Sequence, residues 1–194
     1  MRGAARALIG LAMALWATGL AASPLADQMT AQLAAGQWDK ARESAKSLLL
    51  VAGIAADPSE EALAHYGLGE CAAVAGEWAE GYDRYGRAVA LSRRLRDTKG
   101  VAYCSYMQGL CATRLSRFAD ARDALRAAIE AYGDTNAAMS GKAALNLCHA
   151  LTQLGDLPGA KAAGEDAQRR LAGTDLTREQ VQALYELGIV AGAA

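Results

Sequence analysis

The stretch AGEWAEGYDRYGRAVALSRR, residues 75–94, sets the phase of the whole chain. Gly76 is a break. Trp78 follows two residues later, Gly81 five residues later and Ala88 twelve residues later. Working outward, the same pattern recurs at Gly36, Ser116 and Gly155. The large apolar position holds Trp38, Trp78, Phe118 and Leu157. The small position holds Ala41, Gly81, Ala121 and Ala160, and the later apolar position holds Leu48, Ala88, Ala128 and Ala167. A beat of about forty residues signals stacked supersecondary units, each burying its apolar face against the next.

Composition gives the units their secondary structure. Hydrophobic residues make up 53% of 194, enough for a sizeable core, and much of that share is alanine. Alanine-rich sequence with few β-branched residues favours helix over strand. Each unit therefore reads as two helices divided at its mark. Asp57-Pro58-Ser59-Glu60-Glu61 starts a helix that Gly76 ends, with Asp57 or Ser59 as its cap. The next helix runs from Trp78 to about Arg96. Helices then follow over about 101–115, 118–132, 137–154 and 158–171. Thr177-Arg178-Glu179-Gln180 has capping-box spacing and opens a last helix. The first unit is less regular: a short helix from near Ser23, then one from Trp38 to about Leu50. The units span 23–56, 57–98, 99–136 and 137–176, with a closing helix over 177–194.

Residues 1–22 read as a signal peptide. Arg2 and Arg6 precede an apolar run, Ala7 to Leu20, and small residues follow at Gly19 to Ser23. The run is short of the ~20 residues of a membrane span. The expectation is export, most simply to a periplasm. An uncleaved inner-membrane anchor is the alternative, because the uncharged stretch continues to Ala26.

Formal net charge is −1, and it falls to −3 without the two leader arginines. That balance offers no basic stripe for nucleic acid. Arg93-Arg94-Leu95-Arg96 suits the negative end of a helix instead. An oxidising compartment invites disulfides among Cys71, Cys104, Cys111 and Cys148. Cys104 and Cys111 stand ~10 Å apart along one helix, too far to bridge. Cys104 with Cys148 is conceivable between helices; otherwise the four are small buried hydrophobes.

Chemistry of a catalytic kind has thin support. The only histidines are His65 and His149. His65 falls on a core position. Cys148 and His149 are adjacent on a helix and point in different directions. Cys-x-x-Cys, His-Glu-x-x-His and phosphate-binding glycine loops are missing from the sequence. The expectation is no enzyme, no metal and no cofactor.

The pattern as a whole resembles the tetratricopeptide repeat. Leu68-Gly69, and more loosely Gln108-Gly109 and Leu147-Cys148, resemble the family's first-helix pair. Gly36, Gly76 and Gly155 resemble its turn glycine, with Ser116 as a substitute. Trp38, Trp78 and Phe118 resemble the aromatic that follows, and Tyr85 a later one. The resemblance spans about residues 24–190. It departs in period, since the family's unit is ~34 residues, and in lacking a closing proline. HEAT or armadillo units, ~40–47 residues long, are the structural alternative.

The resemblance implies an all-α fold, a right-handed α-solenoid of stacked helix–turn–helix units after the signal peptide. It also implies a concave face, built by the first helices, that holds a peptide or protein segment. The positions matching that face are Tyr66, Glu70 and Val74, then Tyr103, Tyr106, Leu110 and Arg114. Lys142, Asn146, His149 and Gln153 follow, and Gln182 and Tyr185 come last. A tyrosine row supplies broad, rather rigid contact area, and the polar neighbours supply hydrogen bonds. The other reading of the tyrosines is that they cover the core between adjacent helices.

The functional expectation is an exported, non-enzymatic protein that mediates protein–protein or peptide binding and assists assembly of a periplasmic or envelope complex. The alternative is a structural or oligomerising subunit. Its motive is the apolar run Leu187-Gly188-Ile189-Val190-Ala191-Gly192-Ala193-Ala194, which would dock another copy or a partner.

Overall fold

The computed structural model describes residues 23–193. The expected leader, residues 1–22, lies outside the described residues. Nine helices occur among them: α1 (Pro24–Ala34), α2 (Trp38–Ala55), α3 (Pro58–Ala75), α4 (Trp78–Leu95), α5 (Thr98–Arg114), α6 (Phe118–Tyr132), α7 (Ala137–Gln153), α8 (Leu157–Leu171) and α9 (Thr177–Ala193). The fold is all-α, with helices packed in succession as in an α-solenoid of repeats.

The forty-residue marks are turns between paired helices. Gly36, Gly76, Ser116 and Gly155 all take left-handed backbone, with φ of 67°, 79°, 58° and 77°. That region favours glycine. Downstream, Trp38, Trp78, Phe118 and Leu157 are half-buried at the helix starts. Ala41, Gly81, Ala121 and Ala160 are fully buried. Their small size lets neighbouring helices approach.

Caps account for the helix starts. Asp57, not Ser59, caps α3, accepting from Ser59 N–H at 2.9 Å and Glu60 N–H at 3.2 Å. Asp97 accepts from Gly100 N–H at 3.0 Å, which starts α5 three residues earlier than the sequence predicts. Helix α2 continues past Leu50 to Ala55, because nothing in Val51–Ala55 breaks it until Ala56 turns left-handed. The capping box expected at Thr177 does not form as such. Thr177 is already helical, and the Gln180 amide donates to the Leu171 and Thr174 carbonyls at 2.7 and 3.0 Å.

The chain divides into two compact units, one ending at Cys104 and one beginning at Ser105, so that α5 contributes to both. In the first, Met29 and Leu33 of α1 and Ala41, Ala45 and Leu48 of α2 are buried together with most of α3. Gly67 lies against Met29, and Gly69 against the Tyr85 ring. In the second, Ala144 and Leu145 of α7, Ala167 of α8 and Ala183 of α9 form a buried cluster, with Ile129 of α6 packed on it. Gly109 receives Leu125, and Gly141 receives Leu171.

Candidate functional site

A buried carboxylate lies inside the first unit. Glu70 of α3 is 3% exposed. Its Oε1 accepts hydrogen bonds from Tyr85 Oη of α4 at 2.6 Å and Tyr103 Oη of α5 at 3.0 Å. Tyr66, one turn before Glu70, meets Tyr103 edge to face at 5.7 Å. Burial pushes the Glu70 carboxyl above its ordinary value, while the two tyrosine hydrogen bonds pull it back down. Burial, and then the Glu70 charge, pushes the Tyr85 and Tyr103 hydroxyls well above theirs. The cluster is a polar tie across three helices.

This placement bears on the surface residues expected from sequence. Tyr66, Glu70, Tyr103 and Tyr106 are buried, so they offer a ligand only a few per cent of their surface. They are core side chains: Glu70, Tyr103 and Tyr106 have hydrogen-bond partners inside the protein, and Tyr66 packs its ring on Tyr103. The sequence pointed to Glu70 but not to Tyr85 as its partner. Gly69, next to Glu70, carried the signal: a glycine on one helix opposite Tyr85 on the next lets ring and hydroxyl reach across.

The second unit keeps the remaining residues nearer solvent. Leu110, Lys142, Asn146 and His149 are half-buried, and Arg114, Gln153 and Tyr185 are exposed, as is Gln182. Lys142 Nζ of α7 pairs with Glu179 Oε1 of α9 at 3.2 Å. His149 Nδ1 lies 3.6 Å from Glu186 Oε1 on the same helix as Glu179. The His149 ring also meets Phe118 edge to face at 6.3 Å. Tyr106 shares a hydrogen bond with Asn146, and burial pushes its hydroxyl up to about 12. Asn146 Nδ2 in turn donates to the Lys142 carbonyl at 2.8 Å. Tyr106, Lys142, Asn146 and His149 are thus brought into one polar strip with Glu179 and Glu186. Those two glutamates were not foreseen; each stands 37 residues after its partner, a spacing that is itself a readable signal.

A third feature lies on α2. Leu50, Val51 and Ile54 are exposed, Ile54 to 81%. Beside them is a shallow groove of about 560 Å³, lined by Lys46, Leu49, Leu50, Gly53 and Ile54 with Leu68 and Arg84. Its apolar lining came from a run, Leu48-Leu49-Leu50-Val51, too long to fit one buried helix face.

The other reactive types are quiet. All four cysteines are free and buried. Burial pushes the Cys71 and Cys148 thiols to about 11 and raises the Cys104 thiol well above its ordinary value, which disfavours the thiolate. His65 is buried, and burial and the nearby Arg84 and Arg87 lower it to about 4. The Arg84 guanidinium can only donate, so His65 Nδ1, 3.5 Å away, is the acceptor of that contact. Among the described residues no cluster of His, Cys, Asp and Glu could hold a metal ion. No helix among them is long and apolar enough to cross a membrane. No family model matches the chain, and no curated protein matches it.

Proposed function

We propose that the chain is an exported, non-enzymatic helical-repeat protein of tetratricopeptide type that holds a protein or peptide segment, in the service of assembling a larger envelope complex. The observation that carries this reading is the bare apolar run of α2, Leu50, Val51 and Ile54, beside its groove. Contiguous exposed apolar surface with polar neighbours is what binding surfaces offer. Lys46 and Arg84 at its edge are paired with Glu43 and Glu80, at 2.8 and 2.6 Å, so the groove suits a segment with apolar anchors. The first-helix face implied by the family resemblance, through Arg114, Lys142, His149 and Gln153, is a separate candidate surface within the second unit.

A photo-crosslinking amino acid placed at Ile54 and, separately, at Gln153 tests this directly. The control position is Lys161, exposed on α8. The expected result in an envelope extract is a discrete protein adduct at Ile54 or Gln153 and none at Lys161. Adducts at neither site would sink the binding reading. Leu50→Asp with Ile54→Asp should abolish capture at α2 without changing the helical circular dichroism, because both side chains already face solvent.

A further inference from the structure

Helix α9 presents an apolar stripe that none of the described residues covers. Val181 is 61% exposed, Leu184 54%, Tyr185 68% and Ile189 40%. Gly188 and Gly192 complete the stripe, and a Cβ at either would meet nothing within 4 Å. These six positions follow three- and four-residue steps, so they share one face. The opposite face, Ala183, Glu186 and Val190, is buried. The stripe carries no charge.

Earlier helices show what such a face receives. Leu187-Gly188 repeats the phase of Leu68-Gly69 and Gln108-Gly109. Gly69 is covered by the Tyr85 ring of α4, and Gly109 by Leu125 of α6. The counterparts of Val181 and Leu184 in α3, Ala62 and His65, are buried as well. The helix pairs within this chain thus seat a bulky side chain over that glycine. On α9 the same seat is vacant among the described residues.

The geometry points to a second copy of this chain as the occupant, bound through α9 against α9 in antiparallel fashion. The stripe is complementary to itself. An antiparallel copy centred between positions 186 and 187 sets Val181 opposite Gly192, Leu184 opposite Ile189 and Tyr185 opposite Gly188 of the second copy. Large meets small at both ends, and each contact occurs twice, as a two-fold interface requires. The tyrosine over a helix glycine repeats the Tyr85–Gly69 contact inside the first unit. Two uncharged faces bring no like-charge repulsion, and antiparallel helices set opposite dipole ends together. The dimer continues, between copies, the packing that joins helix pairs within one.

Sedimentation of the full chain across a wide concentration range tests the inference. The expected result is a reversible dimer. Gly188→Leu should weaken it by about tenfold or more by filling the tyrosine's seat. The same change should leave the monomer's melting midpoint undiminished, since the site is open and leucine is the better helix former. Register is read by mixing Val181→Cys chains with Gly192→Cys chains. The mixture should give a disulfide-linked pair, and neither chain alone should; the four native thiols are buried and do not compete. A chain that stays monomeric overturns the proposal. So does a dimer indifferent to Gly188→Leu, the result expected if the apolar leader or the α2 groove drove association, and so does equal cross-linking of Val181→Cys with itself.

Discussion

Ser116 does at φ 58° what glycine does at Gly36, Gly76 and Gly155. Its side chain costs about 1 kcal/mol there, the penalty of left-handed backbone for an L-residue. The glycines can be sorted by the same physics. Gly76 has open space around it but φ of 79°, so Gly76→Ala should lower stability by about 1 kcal/mol. Gly53 has equally open space and lies within α2, so Gly53→Ala should raise it by about 1 kcal/mol. Urea unfolding of the two variants checks the opposite signs; equal signs would refute the backbone argument. Glu70 sets a pH dependence. Its folded value lies above the ordinary 4.5, so its favourable contribution is complete below that pH and is lost as pH rises through the folded value. Glu70→Gln keeps an acceptor for both tyrosines and should flatten the loss. If wild type and variant show the same slope above about pH 4.5, Glu70 is not the titrating group. His65 acts in the other sense. Its value of about 4 lies below 6.5, so its contribution is present above 6.5 and is lost as pH falls toward 4.

Between elements, one spacing recurs. Ser23 N–H donates to Glu60 Oε1 at 3.0 Å, 37 residues on. Tyr66 meets Tyr103, Lys142 pairs with Glu179 and His149 with Glu186, each at that same separation. The repeat carries the chain to the equivalent point of the next first helix, and stepping back about one turn selects the side chain that faces the original residue. The rule makes the Lys142–Glu179 pair testable. Lys142→Glu should cost about 1 kcal/mol by setting like charges together, and adding Glu179→Lys should restore most of it. Chemical denaturation of the four forms gives the coupling, and additive effects would mean the two side chains do not interact. This spacing was legible in the sequence once the period was known. The facing partners were not, because a period gives the phase of a helix and not the tilt that chooses among neighbours on adjacent turns.

For the molecule as a whole, the cysteines give the clearest test. Four buried thiols, three of them (Cys71, Cys104 and Cys148) with raised pKa values, should be silent to a thiol reagent in the native chain and should all react after unfolding. Reaction with Ellman's reagent, with and without denaturant, counts them, and fast native labelling would show that the burial is wrong. The sequence by itself determined the helical class, the positions of the turns and the small residues at helix contacts. Those follow from local backbone preference and from a period that repeats the same packing problem, so each unit's solution is written in its own residues. Only the tertiary structure decided which side of a helix is inside. Tyr66, Glu70, Tyr103 and Tyr106 recur at helical steps whether they face a groove or a core, and periodicity cannot distinguish the two. Burial of Glu70, Tyr103 and Tyr106 is possible because α4, α5 and α7 bring hydroxyl and amide partners within hydrogen-bond reach, which offsets the cost of removing polar tips from water. The same packing left Leu50, Val51 and Ile54 on α2 and the stripe on α9 exposed; the sequence marked both segments as apolar, and only the packing decided which of their side chains face outward.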